Sequence, residues 1–302
     1  MSALKHGFHW SSLLVLVILA IITTSTRAAT RSIEQQQAAD PSGSVEIINV
    51  AGSIEVLGWD KPEVAVTGQI GDRVERVDIT GADKHLTVKV VLPIGSHWSG
   101  DGEAHLTIHV PQMSSLSVSL VSADLKVSGV SGAQQIHTVS GSVTTDGGGN
   151  SRVSTISGDV HISVPAGTPS EVSTVSGDVS VHGAEGEVSI KSVSGGGKLD
   201  LGTLSNFRLE TVSGDFSISA RLAAGAQFEA SGVSSNLRTN FAGVTGASFD
   251  ISTLSGNISN CTDPKPTSPR FGPGSHLSFT TGDGKATVQI SSKSGDLSLC
   301  SK

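Results

Sequence analysis

Serine, aspartate and histidine are the residues of this 302-residue chain that could do chemistry, and their spacing decides against it. Ser140, Ser157, Ser176, Ser213 and Ser255 each follow an aliphatic residue and precede a glycine (Gly141, Gly158, Gly177, Gly214 and Gly256). A serine nucleophile needs a positioned base, and the Gly-x-Ser-x-Gly elbow that often presents one does not occur. A nucleophile is also unique in its chain, whereas these serines recur at a regular interval, as a structural corner would. His105 and His109 are four residues apart, but on a strand that spacing separates them by about 13 Å, too far for one metal ion. The histidines at 85, 97, 137, 161, 182 and 276 are scattered. No catalytic residue, cofactor site or metal site is expected, and the chain reads as a non-enzyme.

The acids recur as well. Asp159, Asp178 and Asp215 follow the Ser-Gly pairs, with Asp124, Asp296, Asn236 and Asn257 at equivalent positions and Ser142 and Gly196 interrupting the row. Stacking the repeats would bring neighbouring members to about 5 Å, where like charges repel. Calcium could relieve that repulsion, although calcium-binding repeats carry more than one acid per turn. The reading adopted is that each Asp caps its own turn through backbone N–H groups.

The corner serines at 122, 140, 157, 176, 194, 213, 234, 255 and 294 have successive gaps of 18, 17, 19, 18, 19, 21, 21 and 39. The last gap is about two periods and contains the Pro-rich segment 262–274. Each period holds two short strand-like runs, as in Asp178–His182 and Glu187–Ser192, separated by glycine turns. About 19 residues with no helical periodicity predict a stack of coils, a β-solenoid. A β-sandwich also has short strands, but it gives no reason for one tetrapeptide to return in register.

Alternation then assigns the core. Ile136, Thr138 and Ser140 share one face, as do Val153, Thr155 and Ser157, or Val172, Thr174 and Ser176. Val160, Ile162, Val179 and Val181 continue that face beyond the turn, while His137, Ser154, Lys191 and Glu210 belong to solvent. One row is out of phase: Val139, Ile156, Val175, Val193, Val212 and Leu254, with Lys293 in the last coil. Either the corner bends to bury this row, or it is an exposed aliphatic ladder and a candidate partner surface.

Composition sets the compartment and class. Glycine (36) and serine (49) exceed a quarter of the chain, tyrosine is absent and aromatics total 4%, a vocabulary of strands and turns. A formal charge of −7 argues against a nucleic-acid partner. A mildly basic start, an apolar run from Leu13 to Ile22 and small residues at Thr26 and Ala28 predict a signal peptide over 1–28. No cysteine lies near that junction, so a lipoprotein is not expected, and no later segment reads as a transmembrane helix. Cys261 and Cys300, in an exported chain, predict one disulfide closing a loop of about 40 residues. Residues 29–41 read as a flexible linker, 42–112 as a β-rich N-terminal cap or small sandwich continuous with the solenoid, and 113–302 as the solenoid.

The run AHLTIHVPQMSSLSVSLVSADLKVSGVSG (104–132), followed by serial T-[VIL]-S-G-[DSN]-[VFI] turns, resembles the bacterial family called "putative adhesin". The resemblance spans about 42–302 and implies an exported, right-handed, β-helix-like repeat of the envelope or cell surface. The expected function is a structural, adhesion or interaction module with a protein or glycan partner. Two alternatives stay open: a periplasmic accessory or sensing protein that binds a protein through the ladder, and a carbohydrate-active β-helix.

Overall fold

The computed structural model describes residues 30–93, 102–165, 167–261, 263–267 and 273–301, so the expected signal peptide lies outside the described residues. The elements of the described residues are strands. The first seven are β1 (Arg31–Ala38), β2 (Ser44–Trp59), β3 (Glu63–Ile70), β4 (Arg76–Ala82), β5 (His85–Val91), β6 (Ala104–Pro111) and β7 (Ser115–Ser128). Then follow β8 (Gln134–Ser140), β9 (Val143–Asp146), β10 (Ser151–Ser157), β11 (Val160–Ser163), β12 (Ser170–Ser176), β13 (Val179–His182) and β14 (Gly186–Ser194). The remainder are β15 (Gly197–Phe241), which bends through several corners, β16 (Ala247–Ser255), β17 (Ile258–Asn260), β18 (Ser275–Thr281), β19 (Ala286–Ser294) and β20 (Leu297–Ser301).

Each coil has two walls joined at the Ser-Gly corner. On the first wall β7, β8, β10, β12, β14 and β15 pair in parallel, so that Val153 lies beside both Ile136 and Val172. On the second wall β9, β11, β13 and β15 pair in parallel, with Val160 between Val143 and Val179. Inward side chains of both walls meet as Val, Ile and Leu layers that are essentially solvent-free. Equal residues therefore stack on equal residues, the arrangement that lets β-branched side chains pack at every rung. Towards the C-terminal end the core becomes aromatic, with Phe207 stacked on Phe228 at 4.5 Å and Phe249 on Phe279 at 4.6 Å.

Four expectations need correction. Residues 29–41 are not simply a linker: β1 pairs antiparallel with β3, from Arg31 beside Ile70 to Ala38 beside Glu63. Its exposed pattern hides this, because backbone bonds hold the strand and Gln35 and Gln37 donate to the carbonyls of Val77 and Gly81. The edge of β4 is thereby covered by amide side chains, which blunts it against further pairing. The stack also starts before 113, since β2 pairs in register with β7 from Ser44/Ser115 to Leu57/Ser128. Stacking thus begins at β2.

Third, the coils do not stack in chain order. β19 pairs on one side with Gln227–Ser234 of β15 and on the other with β16, and β20 likewise lies between Leu237–Phe241 and β17. The last coil of the sequence is inserted between the two that precede it, and β18 closes the first wall antiparallel to β16. Fourth, Ser140, Ser157, Ser176, Ser213 and Ser255 are exposed rather than inward. The glycine after each serine turns the chain sharply, so two successive residues sit on the convex side of the bend and alternation fails for one step.

Candidate functional site

The corner is built from three parallel rows, and the glycines fix its geometry. Gly177 has φ +130°, and a Cβ there would fall on the carbonyl oxygen of Gly158 in the preceding coil. Gly158 stands in the same relation to Gly141, and Gly195 to Gly177. In one coil the pattern is exchanged: Gly232 replaces the inward Thr, and the Ser235 hydroxyl occupies the space a Cβ on Gly232 would need. The other inward hydroxyls are divided. Those of Thr138 and Ser292 donate to carbonyls two residues on, at 3.2 and 3.0 Å, and that of Thr253 donates to Gly295 across the corner. Those of Thr155, Thr174, Ser192 and Thr211 are buried without a partner.

The second row is the acids, and each acts on its neighbour rather than on its own turn. Asp124 Oδ1 accepts from the Ser142 N–H at 2.8 Å, Asp159 from Asp178 at 2.9 Å and Asp178 from Gly196 at 2.8 Å. The inserted coil obeys the same rule: Asn236 Oδ1 accepts from the Asp296 N–H, and Asp296 Oδ1 from the Asn257 N–H. Parallel coils in register set each carboxylate over the next N–H, which explains why an own-turn cap does not form. Asp215 meets the Asn236 side-chain amide at 2.8 Å, so a neutral residue takes the place where a second acid would repel it. Among the described residues no three His, Cys, Asp or Glu groups gather as a metal site would require. Asp40 and Asp283 are held below the ordinary carboxyl value, Asp40 chiefly by the backbone N–H of Ser42 and Asp283 by Lys285; both lie in turns away from the corner.

The third row is the aliphatic ladder, and it faces water. Val139 is 44% exposed, Val175 46%, Val212 47% and Leu254 57%, with Ile156 and Val193 alongside. Val233, which the sequence reading left out of the row although it occupies the same place in GVSSN, is a seventh exposed member. In space Lys293 sits between Val233 and Leu254, not at the end of the row. Beside the ladder runs a shallow groove of about 660 Å³ with Val175, Val193, Val212 and Val233 along it and Lys191, Glu210 and Lys293 at its rim. Lys191 Nζ lies 3.8 Å from Glu210, and Arg208 bridges Glu210 and Glu229 at 3.4 and 2.9 Å.

His105 and His109 do not converge. His105 meets the Ser53 hydroxyl at 2.8 Å, and His109 packs 4.8 Å from the Trp59 ring. Cys261 and Cys300 form a disulfide with Cα atoms 5.0 Å apart, joining the inserted coil to the coil beyond it. No helix of the described residues is long and apolar enough to cross a membrane.

Among solved structures, the chain is similar to a "putative adhesin" of Bacteroides fragilis at 10% identity and TM-score 0.44, covering 91% of this chain and 99% of that one. It is also similar to a "putative lipid binding protein" of Parabacteroides distasonis at 11% identity and TM-score 0.34, covering 89% and 96%. No curated protein matches it. The sequence model of the family Toastrack DUF4097 matches residues 60–300, nearly the whole described stack, and the chain belongs to that family.

Proposed function

We propose that the chain is an exported, non-enzymatic module of the bacterial envelope that offers the outer corner of a right-handed stack, with coils of about 19 residues, as a binding surface. The carrying observation is the exposed aliphatic ladder, six adjacent rungs from Val139 to Val233 with Leu254 beyond Lys293, because soluble proteins rarely leave a large contiguous apolar patch uncovered. The Cys261–Cys300 disulfide supports an oxidising compartment, and the apolar run over 13–22 supports export with cleavage near residue 28. Right-handed winding is supported by the chirality of crossovers between parallel strands. The groove carboxylate Glu210 and the neighbouring Glu229 are engaged by Arg208, which suits a rigid surface better than acid-base work. An adhesive or structural contact with a protein or glycan fits this surface; the similar proteins named for adhesion and lipid binding are consistent with such a role.

The test is cell fractionation with N-terminal sequencing of the mature chain, beside a Val175→Thr/Val212→Thr variant. An envelope-associated product starting near residue 29, with retention lost in a variant of unchanged unfolding midpoint, is expected. A cytosolic product carrying residues 1–28, or retention indifferent to the ladder, overturns the reading.

A further inference from the structure

The exposed corner has a centre. In spatial order its rungs are Val139, Ile156, Val175, Val193, Val212, Val233, Lys293 and Leu254, eight positions on adjacent coils. At about 4.8 Å per coil the stripe is about 34 Å long, and its midpoint falls between Val193 and Val212. Those two rungs also carry the row's opposite charges, with Lys191 beside Val193 and Glu210 beside Val212.

We propose that the corner pairs with a second copy of this chain, the two stripes lying antiparallel across a two-fold axis between the Val193 and Val212 rungs. This rests on the corner being a binding surface and names its partner. A two-fold axis lying across the stripe reverses rung order but keeps each row opposite its own counterpart, as an isologous interface requires. Lys191 then faces Glu210 of the other copy, twice, and each charge has opposite neighbours both within and between chains. Val175 meets Val233, Val139 meets Leu254 and Ile156 meets the aliphatic stem of Lys293, so the equal spacing of the coils sets rung against rung along the stripe.

The acid row agrees with the same axis. Asp178 falls opposite Asn236, Asp215 opposite Gly196 and Ser142 opposite Asn257; only Asp159 and Asp296 face each other as like charges. An axis through either central rung would instead set Lys191 on Lys191 or Glu210 on Glu210, a juxtaposition that costs affinity. The unlike charges at the two central rungs of the stripe select this arrangement.

Sedimentation of the purified chain over a range of concentrations tests this. The expected result is a dimer whose dissociation constant rises at least about tenfold in Lys191→Glu and in Glu210→Lys separately. A mixture of the two variants should recover association, because unlike variants restore both cross-pairs, and the doubly exchanged chain should dimerise as the parent does. Thermal unfolding of each variant separates lost pairing from lost folding, since Lys191 and Glu210 are partly exposed. A chain that stays monomeric, or a dimer indifferent to both reversals, overturns the proposal. A monomer that still needs Val175 and Val212 for envelope retention refutes self-pairing while leaving the binding surface standing; a monomer that does not need them refutes both.

Discussion

Replacing Gly177 with Ala separates the two demands that the corner makes on its glycine. The residue lies at φ +130°, outside the ordinary left-handed well, where an L side chain costs about 1–3 kcal/mol. Its Cβ would also meet the Gly158 carbonyl, and relieving that overlap loosens the corner bonds Gly158 N–H to Ser176 and Gly177 N–H to Ser194, at 3.1 and 3.3 Å. Each such bond contributes about 1 kcal/mol, and the reduced freedom of the unfolded chain returns about 0.4–1 kcal/mol. The net loss should be about 3 kcal/mol. Gly186 is the control: its φ is +75° and nothing stands near a Cβ built there, so Ala should cost about 1 kcal/mol. Denaturant unfolding with a common slope measures both. Equal losses at 177 and 186 would refute the argument that close approach of successive coils, rather than φ alone, requires glycine at the corner.

Val175→Thr/Val212→Thr should lower stability by less than about 1 kcal/mol in the same assay, because both side chains are nearly half exposed; a loss above about 2 kcal/mol would place them in the core. Cys261→Ala/Cys300→Ala should cost about 2–4 kcal/mol, since the bond closes a separation of 39 residues; an unchanged midpoint would mean that the disulfide constrains nothing. Thr174→Val should be neutral or stabilising because its buried hydroxyl has no partner, whereas Thr253→Val should cost about 1 kcal/mol because its hydroxyl donates to the Gly295 carbonyl. The reverse ranking in calorimetry would reject that division of the inward row.

The repeat was legible because coil stacking imposes one period on inward, outward and turn positions alike. Val153, Val172 and Thr174 alternate as the walls require, and the Ser-Gly pairs mark the bends. Alternation cannot report on the bend itself, where Ser140 and Val139 both face water. Nor does a period carry spatial order: the gap of 39 residues before Ser294 is compatible with a coil at the end of the stack or one inserted within it. β1 was hidden for a different reason. Its partners are backbone carbonyls reached by glutamine amides, so its sequence lacks the apolar alternation that announces a strand. The ladder was readable as a row but not as a surface, since its exposure is a property of the corner angle. The acid row was readable as a register, but which coil each carboxylate serves depends on how one coil is offset along the axis from the next.

The inserted coil makes this rod unlike a stack that can be shortened from either end. Removing the last 16 or so residues would take a course out of the middle and leave β16 and β17 facing a gap. During synthesis the first coils can close one upon another as they appear, but β16, paired only with β18, and β17 must wait until β19 and β20 arrive to fill the slot between them and the Gln227–Phe241 part of β15. The β19–β20 coil is thus the keystone, laid after both its neighbours and bearing on each, and the cysteine pair is the cramp that keeps it from slipping out. A chain lacking β19 and β20 would carry a raw sheet edge on each side of the vacancy, so these two strands are the condition for leaving no open seam.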